Sequence, residues 1–125
     1  MKAVICGTGS AVPTKVLDND DLSQIVDTSD EWIRERTGIV RRHIAKEETC
    51  VSLAVEAAQK ALKQSGVSAE EIDLVIVSTI SSNVVLPGVA CEVQKKIGAV
   101  NAVCYDLSAA SVSYTHLTLP TILLV

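Results

Sequence analysis

Residues 72–80 read IDLVIVSTI, an almost unbroken apolar run between two segments of helical periodicity. A strand apolar on both sides has to be covered on both faces, and a parallel sheet flanked by helices does that. Upstream, Val51, Ala54, Val55, Ala58, Ala61 and Leu62 recur at three- and four-residue spacing, predicting a helix over Thr49 to Ser65 that Gly66 stops. Ser68 followed by Glu71 fits a capping box over a short turn. Downstream, Pro87 suits the first turn of a helix that Gly98 ends, and AVCYDLSAA reads as a strand running into small residues. The chain's 48% apolar and 2% aromatic residues, with no Phe, make the core one of Val, Ile, Leu and Ala.

The first fifty residues are more broken. Ala3 to Cys6 predicts a strand, and GTGSAVP predicts the tight turn and loop after it. DNDDLSQIV predicts a short helix capped by Asn19 or Asp20, with Leu22, Ile25 and Val26 on one face. TSDEWIRERTG predicts a second, capped by Thr28 or Ser29 and stopped by Gly38. The order strand, helices, strand, helix, strand predicts an α/β layered fold with a mainly parallel sheet.

Several functions are disfavoured by composition. A net charge of −4 and the lack of a basic stripe argue against nucleic-acid binding. The cluster Arg34, Arg36, Arg41 and Arg42 is local and fits one anionic ligand or a solvated face. The four cysteines, Cys6, Cys50, Cys91 and Cys104, have no metal-ligand spacing, and no metal site is expected. Cys6 and Cys104 lie in strand-like runs and read as buried free thiols, which fits a reducing cytoplasm. Cys91 reads as structural, since nothing near it in sequence would activate it. The start of the chain turns polar too soon for a signal peptide, and no apolar run reaches membrane-spanning length.

VDTSDEWIRERTGIVRRHIA, with GTGSAVP and YDLSAA, resembles β-ketoacyl-acyl-carrier-protein synthase III, a thiolase-fold condensing enzyme. The resemblance runs from residue 1 to about Ala110 and implies the N-terminal portion of a thiolase-like domain. It implies an acyltransferase that starts type II fatty-acid synthesis, and a homodimer. A cysteine at a helix N-terminus takes an acyl group from acyl-CoA, and malonyl-acyl-carrier protein then decarboxylates and attacks it. A helix N-terminus favours the thiolate this requires. The resemblance implies no permanently bound cofactor, acyl-CoA being a substrate, and a cytoplasmic enzyme with neither nucleic acid nor membrane as partner.

Carried over residue by residue, Trp32 would stack on the CoA adenine, Arg36 reach a CoA phosphate, and Thr28 contact the nucleotide end. An indole face and a guanidinium suit those tasks. Leu86 matches a position that reaches across the dimer interface into the partner's acyl pocket. Asp106 would orient the strand-to-helix turn as a buried partner, and His43 reads as solvated or at the edge of CoA. In the family the stretch after the matching Asp carries the nucleophilic Cys followed by Gly-Phe; here Ser111 occupies the Cys position and Gly-Phe is missing. A hydroxyl without an adjacent base is a poor nucleophile. Residues 111–125 therefore read as a foreign tail left by a truncation or sequencing artefact: VSYTHLTLPT resembles the conceptual translation of a transposon sequencing adapter. The chain is expected to be inactive and, with apolar faces uncovered, to aggregate. Two other readings stay open: a related polyketide- or quinolone-type starter enzyme, and a non-catalytic CoA-binding or dimerisation module.

Overall fold

The computed structural model describes residues 4–82 and 85–109. They form two compact units, Val12–Thr49 and the segments flanking it, up to Ala11 and from Cys50 on.

In the first unit, β1 (Lys15–Asp18) pairs antiparallel with β2 (Arg41–Ile44), Lys15 lying opposite Ile44 and Asp18 opposite Arg41. Neither strand was legible in the sequence. Between them lie α1 (Asn19–Ser23) and α2 (Asp30–Thr37). The cap of α1 is Asp18, not Asn19 or Asp20. Its Oδ1 accepts the Asp21 N–H at 2.8 Å, and the Asp21 carboxylate accepts the Asp18 N–H at 3.2 Å. Asn19 does other work. It is buried, its Nδ2 donates to Asp30 Oδ1 at 2.7 Å and to the Ile39 carbonyl at 2.8 Å, and its Oδ1 accepts from Arg42 Nη2. One amide thus joins the start of α1 to α2, to the loop after it and to β2. The expected apolar face of α1 is not formed: the helix ends at Ser23, and Ile25 and Val26 stay exposed. For α2, Ser29 caps as expected, and Gly38 ends the helix at φ +69°, the left-handed region that suits a residue without Cβ.

In the second unit, α3 (Cys50–Ser65) is followed by the 3₁₀ turn Ala69–Glu71 with its Ser68–Glu71 capping box, as the sequence predicts. Then come β3 (Leu74–Ser78), α4 (Val89–Ile97) and β4 (Val103–Leu107). β3 and β4 run parallel, with Leu74 opposite Val103 and Ser78 opposite Leu107, and α4 is the crossover between them. The core is made of Val89, Ala90 and Val93 from α4 with Ala99 and Ala102, two of the four residue types expected there.

Three expectations for this unit fail. The 72–80 run is only half-buried, and Leu74 and Val103 at the paired strand starts are exposed, because among the described residues each strand has one neighbour. No strand forms at Val4 to Cys6; Val4, Ile5 and Cys6 are exposed, so Cys6 is not a buried thiol. Pro87 lies ahead of α4, whose cap is Gly88.

GTGS does more than turn. A Cβ on Gly7 would come 2.5 Å from the Ala61 carbonyl oxygen, and one on Gly9 would collide with that of Ala57. Only glycine lets the backbone lie this close to α3. Thr8 donates through its N–H and hydroxyl to Gln64 Oε1, and Lys60 donates to the Ser10 carbonyl at 2.9 Å.

Candidate functional site

Helix α2 and the residues at its cap gather most of the expected binding residues. Ser29 Oγ accepts the Trp32 N–H at 3.1 Å, which sets the first turn and projects the indole. Trp32 is 51% exposed, whereas its neighbour Ile33 points into the unit and is buried. Four residues on, one helical turn, the Arg36 guanidinium carbon sits 4.6 Å from the indole centroid. Thr28 directly precedes the cap and is half-buried.

The two nearby arginines differ in availability. Arg34 Nε donates to both Asp30 oxygens at 2.6 and 2.7 Å. That bond, then the one from Asn19, holds the Asp30 carboxyl below its ordinary pKa. Among the described residues the ion pairs are Arg34–Asp30 and Lys60–Glu56, so Arg36 keeps its charge for the solvent side of Trp32. A flat ring with a cation over it, both open to solvent, can take up a planar heterocycle and an adjoining anion.

Other expected residues fall elsewhere. Leu86 belongs to the second unit, is 83% exposed, and precedes Pro87 through a cis peptide bond. His43 is exposed, and its Nδ1 donates to the Pro13 carbonyl at 2.6 Å. Asp106 is not buried as expected, and the turn after β4 lies from residue 110 on outside the described residues. It is exposed and binds backward, its Oδ2 and Oδ1 accepting the Val89 and Ala90 N–H groups at the start of α4. Ser111 lies outside the described residues. Among the described residues no helix is long and apolar enough to cross a membrane.

Sequence reasoning missed two features. Cys104 is half-buried rather than buried, and its Sγ lies 3.3 Å from that of Cys91. Nothing in their thirteen-residue separation announces that contact. A groove of ≈ 430 Å³ runs along α3 and β3, lined by Ala58, Leu62, Val75 and Val77 among others.

No family model matches the chain. Curated and solved proteins do. The β-ketoacyl-[acyl-carrier-protein] synthase III of Clostridium botulinum (strain 657 / Type Ba4) is 50% identical over 112 residues, which are 90% of this chain and 34% of that protein. The crystal structure of 3-oxoacyl-[acyl-carrier-protein] synthase III from Aquifex aeolicus VF5 superposes with a TM-score of 0.86 at 46% identity, over 90% of this chain and 36% of that one. The priming β-ketosynthase from the R1128 polyketide biosynthetic pathway superposes with a TM-score of 0.87 at 38% identity, over 90% of this chain and 34% of its own. The α/β fold is therefore that of the thiolase-like condensing enzymes. By sequence and by fold the chain is similar to the β-ketoacyl-[acyl-carrier-protein] synthase III proteins, and it spans about a third of the length of the curated relatives it matches.

Proposed function

We propose that this chain carries the CoA-contacting portion of an acyltransferase that condenses a short acyl-CoA with malonyl-acyl-carrier protein to start fatty-acid synthesis. In this reading Trp32 stacks on the adenine, Arg36 meets a CoA phosphate and Thr28 touches the nucleotide end. Leu86 serves the acyl pocket of a partner subunit. The observation that carries it is the exposed Trp32 with Arg36 over its ring, at the start of a helix inside the motif VDTSDEWIRERTG. With Ser111 at the nucleophile position the chain does not turn over, and residues 111–125 are foreign sequence. Gene sequence from the source continuing past the Ala110 codon into Cys and Gly-Phe is the expected result. Independent clones that encode the same final fifteen residues would refute that part.

Trp32 is the only tryptophan, so its emission reports on this site alone. Titration with CoA should quench it, and Arg36→Ala should weaken the binding about tenfold, the loss of one charge-assisted hydrogen bond of about 1.5 kcal/mol. Equal quenching in the variant defeats the assignment.

The 38% identity to a polyketide priming ketosynthase favours a second reading, a starter enzyme on the same scaffold. The 50% and 46% identity to the Clostridium botulinum and Aquifex aeolicus synthase III proteins supports the first. A binding or dimerisation module would instead elute as a discrete CoA-binding dimer in size-exclusion chromatography, where an incomplete enzyme self-associates through its exposed apolar residues.

A further inference from the structure

Cys91 and Cys104 come from different elements, and the fold brings their sulfurs to 3.3 Å. The contact is built rather than incidental. Asp106 accepts the N–H groups of Val89 and Ala90, which ties the first turn of α4 to β4. Cys91 follows Ala90 in that turn. Cys104 is two residues before Asp106, and alternate residues of a strand share a face. The anchor that docks the helix therefore sets the two thiols against each other. Gln94 completes the arrangement. Its amide Nε2 donates to the carbonyls of Ala99 and Ala102 at 3.1 and 2.6 Å, which turns its Oε1 toward Cys104 Sγ, 3.0 Å away.

The two sulfurs are not equivalent. Cys91 is exposed and Cys104 half-buried. The hydrogen bond to Cys91, then burial, then the negative charges of Cys91 and Asp106 push the Cys104 thiol up. Cys91, the exposed one of the two, is the sulfur that meets a reagent from solvent. The other two cysteines lack such a partner: Cys6 Sγ lies 3.7 Å from the Val4 carbonyl and Cys50 Sγ 3.7 Å from Thr79 Oγ1.

We propose that Cys91 and Cys104 form a redox-active pair, which a low-molecular-weight disulfide oxidises to a reversible intrachain disulfide. The Cys91 thiolate attacks one sulfur of the reagent, breaks its S–S bond and releases one thiolate. Cys104 then loses its proton to that thiolate and attacks the Cys91 sulfur of the mixed disulfide, releasing the second half of the reagent. Two protein thiols are oxidised, one reagent disulfide is reduced to two thiols, and the product pins α4 to β4.

The test is oxidation of the full chain with oxidised glutathione at low protein concentration, followed by alkylation, trypsin and mass spectrometry. Lys95 and Lys96 separate the two cysteines, so a Cys91–Cys104 link joins two distinct peptides. The expected result is the loss of two alkylatable thiols, with this link dominating the native sample and its share falling in urea, where only its short loop still favours it. Dithiothreitol should restore both thiols, and a Cys6→Ser/Cys50→Ser variant should form the same link. A native sample in which Cys6–Cys50 or interchain links are as abundant, or a share unchanged by urea, overturns the proposal.

Discussion

Asp106 Oδ2 accepts the Val89 backbone N–H at 2.7 Å, so a strand side chain caps the helix that precedes it by a loop. Gly88, the formal cap residue, has no side chain to do this, and a Cβ there would meet Asp106 Oδ2 at 2.8 Å. The glycine makes room for the carboxylate that replaces it. Asp106→Ala should destabilise the fold by about 1–2 kcal/mol, as loss of a charged cap does. Gly88→Ala should act in the same direction by displacing the carboxylate. Urea midpoints from far-UV circular dichroism check both; a midpoint unmoved by Asp106→Ala contradicts the capping role.

Asn19 is the buried polar residue on which three segments converge. Asn19→Ala leaves Asp30, the Ile39 carbonyl and Arg42 each short of a partner, a loss of about 2 kcal/mol. Asn19→Asp should also destabilise, since it sets an acceptor against the Asp30 carboxylate and the Ile39 carbonyl. Greater amide exchange in β1 and β2, measured by mass spectrometry, is the expected signature in both variants.

Glu48 ties down the loop after β2. Its Oε1 accepts the Thr14 N–H and hydroxyl at 3.0 and 3.1 Å, and its Oε2 accepts the N–H groups of Lys46 and Glu47 at 3.0 and 3.3 Å. These bonds, the Thr14 backbone first, lower its pKa from 4.5 to about 2. A carboxyl that is more acidic folded than unfolded contributes stability above the unfolded value. That contribution is complete above pH 4.5 and fades as the pH falls toward 2. Glu48→Gln should flatten the stability profile across that window, read from urea midpoints at successive pH values. A variant with the parent's full pH slope would show that other carboxyls set it.

The parts of the fold that sequence revealed are those whose signals are local. The α3 stripe, the Ser29 cap, the Gly38, Gly66 and Gly98 stops and the Ser68–Glu71 box each lie within a few residues of what they determine. β1 and β2 escaped because KVLD and RRHI carry polar residues at exposed positions, and their pairing joins Lys15 to Ile44 and Asp18 to Arg41, far apart in sequence. Val4 to Cys6 has a strand's composition but no strand partner among the described residues, and propensity does not supply one. In the candidate site, Trp32 and Arg36 could be paired from their four-residue spacing on a helix. The Asp106 cap and the Cys91–Cys104 contact could not, because each depends on how a crossover helix settles on its strand.

The glycine-lined approach of residues 7–10 to α3 has a bearing on how the chain comes to fold during synthesis. Thr8 waits for Gln64, and Ser10 for Lys60, more than fifty and fifty positions later respectively. The unit Val12–Thr49 draws its internal bonds from residues already made by position 49. On a ribosome the inner unit can close while the ribbon ahead of it is still unclaimed, and that ribbon settles only after α3 has emerged.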